Sequence, residues 1–255
     1  DFVIGGAKDQ PTAFYIQKSD GSFYSKSFSF SKEHAKYEDM DIILEDDDND
    51  GDNDLYIVSG GNEFEPNTPI LKDRLYINNG KGSFNYNNSS LPDNFSSGMR
   101  VSSADFDKDG DIDLFVGGRV VPGSYPLPAE SFLLENISDA NEIKFKNTNE
   151  SIFSFKEIGL VTSSVWTDYN NDGWEDFIVH QWCDIAPNNQ GEVIEQPTPD
   201  LLVVHLSNGD GTFQYETLVM NYYGSFNGWE SNDKYPRQLA DINGDGNDDI
   251  VAFGS

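Results

Sequence analysis

Four copies of an acidic loop, Asp-x-Asp/Asn-x-Asp-Gly-x-x-Asp, recur along the chain and constrain its fold more than any other feature. The copies span residues 46–54, 105–113, 168–176 and 241–249, so their starts are 59, 63 and 73 residues apart. Asp1 and the apolar residues after it match the end of a further copy. Regular internal repetition is typical of propellers, solenoids and arrays, in which each repeat is one supersecondary unit.

The acids of each loop lie at alternate positions, where their mutual repulsion requires a neutralising cation. In the copy at 105–113, three alternate aspartates precede Gly110, and Asp113 opens an apolar run. Hard oxygen ligands on a short loop, with a glycine where the backbone folds back, are what Ca²⁺ requires. An EF-hand loop would instead carry a bidentate Glu at its twelfth position and continue into a helix. The twelfth residues are apolar in all four copies, so we predict calcium loops that lead into strands.

Each period also contains a hairpin and a strand that approaches the next loop. Hairpin turns are indicated at 19–21, 79–82 and 208–211. Together with the strand after each loop, this makes about four strands per period, which suits a propeller blade. Helical periodicity is absent. The sequence therefore predicts an all-β β-propeller of four-stranded blades, in which the apolar runs at 113–118 and 176–180 line the axis as inner strands.

The composition excludes several classes of partner. Asp and Glu number 45 against 16 Lys and Arg, which gives a formal net charge of −29. Such a surface repels nucleic acid and anionic lipid. Because no apolar run approaches the ~20 residues that span a bilayer, we expect no direct membrane insertion either. Cys183 is the single cysteine, so no intrachain disulfide is possible. Calcium loops favour an extracellular or cell-surface location, where the ion is abundant.

The loops and their strands resemble the FG-GAP or VCBS repeats of integrin α-subunit propellers and of many secreted bacterial and fungal proteins. Residues 42–183 are most similar to large bacterial VCBS-repeat surface proteins, in the stretches VSGGNEF, DRLYINNGKGSF and DLFVGGRVVPGSYPLP. Residues 201–255, with LSNGDGTF and YPRQLADINGDGNDDIVAFG, are closer to calcium-containing fungal propeller lectins. The resemblance implies a single propeller region over 1–255 with about four blades. Because relatives typically have seven, we expect a fragment with sequence missing at one or both ends.

The resemblance also implies one Ca²⁺ per loop, up to four, bound by side-chain oxygens of the first, third, fifth and ninth residues and by the backbone carbonyl of the seventh. The implied ligands are Asp46, Asp48, Asp50, Asp52 and Asp54; Asp105, Asp107, Asp109, Asp111 and Asp113; Asp168, Asn170, Asp172, Trp174 and Asp176; and Asp241, Asn243, Asp245, Asn247 and Asp249. Asn170 and Asn243 replace a carboxylate with a neutral amide, so we expect these two loops to release calcium first. With so many protein oxygens committed, we interpret the ions as structural rather than catalytic.

Ligand-binding residues are expected in the proline-rich connections and among aromatic residues outside the strand pattern. Trp182, Tyr222, Tyr223 and Trp229 are candidates for stacking on sugar rings, with packing between blades as the alternative for each. The chain has no HExxH or GxSxG pattern, and its three histidines have no triad spacing. We therefore expect a protein without enzyme activity.

The leading interpretation is a secreted, calcium-stabilised propeller that binds an extracellular glycan or protein ligand. Two alternatives stay open: the propeller portion of a polysaccharide-degrading enzyme, and a structural unit of a surface assembly. Missing blades or flanking domains of the same protein are expected as further partners. A glycan array, turnover of acidic polysaccharides and self-association would distinguish the three interpretations.

Overall fold

The protein is almost entirely built of strands. The structure is a computed structural model that describes residues 1–139, 142–148, 158–182 and 201–214, together with the backbone of strands at 218–220, 237–240 and 249–252. Within these residues the helices are the four-residue α1 (Ser31–His34) and a 3₁₀ turn at Pro69–Leu71. The prediction of an all-β protein is confirmed.

The strands form antiparallel sheets in which neighbours in the sheet are consecutive in the chain. The first sheet contains β1 (Phe2–Ile4), β2 (Ala13–Gln17) and β3 (Phe23–Lys26). The second contains β4 (Asp39–Glu45), β5 (Asp54–Ser59), β6 (Arg74–Asn78) and β7 (Phe84–Asn87). The third contains β8 (Gly98–Ala104), β9 (Asp113–Gly118), β10 (Phe132–Asn136) and β11 (Phe145–Asn147). The fourth contains β12 (Leu160–Thr167), β13 (Asp176–Trp182), β14 (Leu201–His205) and β15 (Leu218–Met220), and the fifth contains β16 (Arg237–Ala240) and β17 (Asp249–Ala252).

Each four-stranded sheet is a meander with its acidic loop between the first and second strands. The hairpin between the third and fourth strands lies at the same end of the sheet, which we call the loop face. The opposite end, the insertion face, carries the longer connection from the second strand to the third and the connection to the next sheet. This is the strand order of a propeller blade.

The register of the strands repeats along with the sequence. The ninth loop residue always pairs with the residue before the loop, in the pairs Glu45↔Asp54, Ala104↔Asp113, Thr167↔Asp176 and Ala240↔Asp249. The first strands of the second, third and fourth sheets also share an irregularity in register, near Met40, Met99 and Thr162. Each of these residues lies six positions before the first Asp of its loop. The bulge is therefore a regular part of the repeat.

Successive sheets pack face to face and share apolar clusters. Tyr56 and Val101 belong to a cluster that joins the second and third sheets, and Phe115 and Phe177 belong to one that joins the third and fourth. Phe14 of the first sheet packs in the same way against the second. Burying each side chain of this size contributes about 1.5–3 kcal/mol relative to exposure. Stacking of the sheets, rather than any single sheet, therefore supplies the core.

The strands that follow the loops are buried but are not innermost. Strands β5 and β9 are buried at every residue because each has a strand on both sides and a sheet against both faces. The first strands contact one another across sheets, β4 with β8 and β8 with β12. The prediction that 113–118 and 176–180 line the axis is therefore wrong. Their continuous apolar character reflects the coverage of both faces.

Two glycines allow neighbouring sheets to approach closely near the insertion face. A Cβ atom at Gly98 would lie 2.3 Å from Cγ1 of Val58 in the preceding sheet, and one at Gly117 would lie 2.5 Å from Cγ1 of Val161 in the following sheet. Real Cβ atoms do not approach a neighbouring carbon so closely. The glycines thus fix the spacing at which the sheets stack.

A buried ion pair within the second sheet is hydrogen-bonded to the connection between β1 and β2 of the first sheet. Arg74 Nη2 lies 2.5 Å from Asp39 Oδ1, and the two side chains are 1% and 2% exposed. The other oxygen of Asp39 accepts hydrogen bonds of 2.7 Å from the backbone N–H of Gly6 and from the hydroxyl of Thr12. Arg74 also donates from Nε to the hydroxyl of Ser59 at 3.2 Å. The carboxylate of the second sheet is thus held jointly by both sheets.

Asp73, next to this pair, should make stability depend on pH. Its carboxylate accepts hydrogen bonds of 2.7 Å from the Tyr56 hydroxyl and from Ser59 N–H, but burial raises its pKa to about 7. The folded protein therefore retains a proton that the unfolded chain loses near pH 4. The contribution of Asp73 to the free energy of unfolding is complete below that pH and is lost as the pH rises to about 7.

Between pH 4 and pH 7, we expect the free energy of unfolding to fall by about 2 kcal/mol more in the wild-type protein than in the Asp73→Asn variant. This figure allows for solvent screening of a partly exposed group. Urea unfolding of both proteins at several pH values measures this difference. Other buried carboxylates affect both proteins equally, so only the difference is diagnostic. Parallel pH profiles for the two proteins would refute the raised pKa.

Candidate metal centre

The acidic loops fold through hydrogen bonds from their own backbone to the first aspartate. The carboxylate of Asp46 accepts 3.0 Å bonds from the N–H groups of Asp50 and Gly51. Asp168 accepts the equivalent bonds, of 2.9 and 2.8 Å, from Asp172 and Gly173. The sixth residue has φ of +93° in Gly51, +100° in Gly110 and +87° in Gly173. Only glycine adopts such values readily, so the predicted role of this glycine is confirmed.

Carboxylates converge in the first two loops. Oxygens of Asp46, Asp48 and Asp50 all lie within 4.8 Å of one another, as do those of Asp105, Asp107 and Asp109. Burial raises the pKa of Asp48 and of Asp107, and the nearby carboxylates of Asp50 and Asp109 raise them further. A bound cation would offset both effects, because it favours the ionised form.

The third loop uses its asparagine differently. The amide nitrogen of Asn170 donates to Asp172 Oδ2 at 2.9 Å, and the amide oxygen accepts from Asp172 N–H at 2.8 Å. The Asn170 amide therefore donates a hydrogen bond to the Asp172 carboxylate, whereas an aspartate at position 170 would repel it. This loop depends less on a cation for its conformation than the first two loops do.

The ninth aspartate of each described loop is a structural tie as well as a candidate ligand. Asp54, Asp113 and Asp176 are buried, and burial raises the pKa of Asp54 to about 7 and that of Asp113 to about 8. One oxygen accepts from the second residue of the same loop and the other from the residue that ends or follows the third strand. Asp54 accepts from Asp47 N–H at 3.3 Å and from Asn78 N–H at 2.7 Å. Asp113 accepts from Phe106 N–H at 3.3 Å and from Asn136 N–H at 2.8 Å, and Asp176 accepts from Tyr169 N–H at 3.0 Å and from Ser207 N–H at 2.7 Å. A carboxylate offers about four lone pairs, so a metal contact remains possible beside both bonds.

The donor set of the second loop fits a hard cation. Asp105 Oδ2 accepts a 3.2 Å bond from Gly110 N–H, but Asp105 Oδ1 is buried and has no hydrogen-bond partner. An ionised oxygen buried in this way is strongly unfavourable unless an opposite charge lies beside it. Oxygen-only ligands around such an atom are the chemistry that Ca²⁺ selects. Bound there, Ca²⁺ would supply charge neutralisation and would cross-link the loop.

The seventh residues share one backbone contact. The N–H groups of Asp52, Asp111 and Trp174 donate to the fifth aspartate of their loops at 3.0, 3.0 and 2.9 Å. Their carbonyls as metal ligands stay a prediction. In the fourth loop, Asp241, Asn243, Asp245 and Asn247 lie outside the described residues, and Asp249 is described only as the first residue of β17.

The second position of the first two loops points into the core, which the sequence pattern of the acids did not predict. Phe106 is 1% exposed in the second loop, and Asp47 occupies the same position of the first loop with equal burial. Burial raises the pKa of Asp47 to about 8, and its Oδ1 has no partner. The aromatic residues Phe106 and Tyr169 at the equivalent positions were the available signal.

An open cleft of about 390 Å³ lies on the loop face between the third and fourth sheets. Its lining residues are Ser103, Ala104, Asp105, Lys108, Trp166 and Glu175. The ring of Trp166 packs on Phe177 with centroids 4.7 Å apart. Its indole Nε1, however, is buried without a hydrogen-bond partner. The cleft thus combines an aromatic ring with the charged side chains of Asp105, Lys108 and Glu175.

The aromatic ligand candidates are not brought together by the described part of the structure. Trp182 ends β13 at the insertion face, where its backbone pairs with Leu160, but its side chain is outside the described residues. Tyr222, Tyr223 and Trp229 also lie outside them. Their role in ligand binding stays a prediction. None of the helices found in the described residues has the length and apolar character needed to cross a membrane.

Comparisons with known proteins find one structural similarity and one match to a repeat family. A solved Agrocybe aegerita lectin, described as specifically recognising non-reducing terminal N-acetylglucosamine, is similar with 18% identity and a TM-score of 0.46, over 98% of this chain and 71% of that one. No curated protein sequence matches the chain significantly. Residues 46–116 match the family model of the FG-GAP-like repeat. The matched stretch runs from the first acidic loop into the strand after the second.

Proposed function

We propose that this chain is a calcium-stabilised propeller module that binds an extracellular glycan or protein ligand and has no catalytic role. The observation that carries the proposal is the loop-face cleft, which is lined by the half-buried Trp166 together with Lys108 and Glu175, and beside which Asp105 Oδ1 is buried without a partner. Ca²⁺ in the second loop would satisfy the carboxylate.

A saccharide suits the chemistry of the cleft. Glu175 and Lys108 supply an acceptor and a donor for sugar hydroxyl groups, and the half-buried Trp166 ring adds an apolar contact at the wall of the cleft. The cleft is open to solvent, as expected for the end of a chain-like ligand rather than for an enclosed substrate. Secretion and cell-surface exposure belong to this proposal because extracellular calcium would fill the loops.

A glycan array and a panel of extracellular proteins, probed in calcium and after chelation, test this function. We expect calcium-dependent binding that Glu175→Gln weakens about tenfold, since a hydrogen bond to a charged group contributes about 1.5–3 kcal/mol. Glu142→Gln is the matched control, because Glu142 is exposed and away from the cleft.

Each failure has a definite meaning. Turnover of acidic polysaccharides would favour the enzyme alternative, and self-association without any ligand would favour the structural unit. If ligand binding survives both chelation and the Glu175→Gln change, then neither the cleft nor the calcium loops take part in binding.

A further inference from the structure

Neighbouring acidic loops contact each other through the fourth residue of the preceding loop. This residue has φ of +58° in Asn49, +61° in Lys108 and +58° in Asn171. The left-handed turn directs the Asn49 side chain out of the first loop, and its Nδ2 donates to Oδ1 of Asp111 at 2.6 Å. Asp111 is the seventh residue of the second loop. The first loop therefore contacts the part of the second loop that is implied to provide a carbonyl ligand.

Lys108 repeats this contact one sheet further along. Its ammonium donates to the carbonyl oxygen of Gly173, the sixth residue of the third loop. The ammonium also lies 4.1 Å from the ring centroid of Trp174, the seventh residue. Position and backbone conformation match those of Asn49, but the side chain brings a full positive charge. That charge lies against a loop that already lacks one carboxylate, at Asn170.

We propose that the fourth residue of each loop sets the calcium affinity of the next loop, and that Lys108 holds the third loop in a low-affinity state. This inference rests on the proposed calcium binding. A fixed cation near a divalent ion is repelled by it, and because Lys108 is exposed, salt screens part of this repulsion. Asn49, which is neutral, places no such charge on the second loop. The loops would then fill in an order set by their neighbours as well as by their own ligands.

The sign of the effect separates this role from simple structural support. If Lys108 only positioned the third loop, then replacing it would loosen that loop and lower its calcium affinity. If its charge dominates, Lys108→Asn raises the affinity. Asparagine is a suitable replacement because it adopts a positive φ more readily than lysine does and reproduces the contact that Asn49 makes. The loop conformation should therefore be retained.

The sixth-position glycines provide one reporter per loop. The N–H groups of Gly51, Gly110 and Gly173 each donate to the first aspartate of their own loop, so metal binding should shift each amide resonance separately. We would titrate the glycine-labelled full chain with calcium and follow these three resonances in proton–nitrogen correlation spectra. Lys108→Asn should raise the affinity reported by Gly173 about threefold and leave that reported by Gly51 unchanged.

Matched variants complete the test. Lys108→Arg keeps the charge and should keep the wild-type affinity, and the reciprocal Asn49→Lys should weaken the second loop, reported by Gly110, by a similar factor. The Lys108→Asn effect should shrink at high salt. An unchanged or lower Gly173 affinity in Lys108→Asn would overturn the inference while leaving the proposed function intact. No calcium-dependent shift at any of the three glycines would overturn both.

Discussion

Replacing Arg74 with methionine is expected to lower the free energy of unfolding by about 3–5 kcal/mol, because it leaves the buried Asp39 charge without its counter-ion. The two side chains are almost fully buried and only 2.5 Å apart. Asp39 would keep only its bonds to Gly6 and Thr12, which are neutral donors. Since these donors come from the first sheet, the contact between the first two sheets should weaken as well. Urea unfolding measures the loss.

Arg100→Met is the matched control for this prediction. Arg100 lies 3.4 Å from Asp41, but its side chain is 48% exposed, and exposed ion pairs contribute at most about 1 kcal/mol. The double variant Asp39→Asn with Arg74→Met should regain part of the stability, because it buries no charge. Equal losses in Arg74→Met and Arg100→Met would show that burial of the pair has no effect on stability.

The repeat itself made much of this fold predictable. Each loop reverses the chain within nine residues. The glycine at its sixth position indicates a positive φ, which Gly51, Gly110 and Gly173 all adopt. The aspartate at the ninth position opened an apolar run in every copy, and it begins a strand at Asp54, Asp113, Asp176 and Asp249. These features are local and occur several times, so each copy supported the interpretation of the others.

Features that depend on contact between repeats were not predictable in the same way. Asp39 and Arg74 are 35 residues apart, and nothing in the local pattern pairs them. Continuous apolar runs such as 113–118 indicate burial but do not say which strand lies at the inner edge. The fourth residue of the loop is Asn49 in the first copy and Lys108 in the second, so the sequence does not indicate a shared contact at this position. Both residues contact the next loop, which is about 60 residues further along the chain.

Removal of calcium is expected to lower the thermal unfolding midpoint by about 10 °C or more. A ligand present at a hundred times its Kd stabilises the folded state by about 2.7 kcal/mol per site, so two occupied loops contribute about 5 kcal/mol. In a chain of this size, each kcal/mol corresponds to roughly 2–4 °C. The loops at 46–54 and 105–113 should dominate, because their carboxylates converge within 4.8 Å. Calorimetric melting with calcium and with a chelator measures the shift.

Asp107→Asn and Asp20→Asn form the matched pair for the calcium effect. Asp107 is a converging carboxylate of the second loop, so its loss should remove about half of the chelator-induced shift. Asp20 caps an exposed hairpin turn through Ser22, so its loss should leave the shift unchanged. Magnesium should not replace calcium, because it demands a smaller octahedral site and retains its waters. A midpoint that is the same with calcium and chelator would mean that backbone bonds to Asp46 and Asp168 hold the loops without a metal.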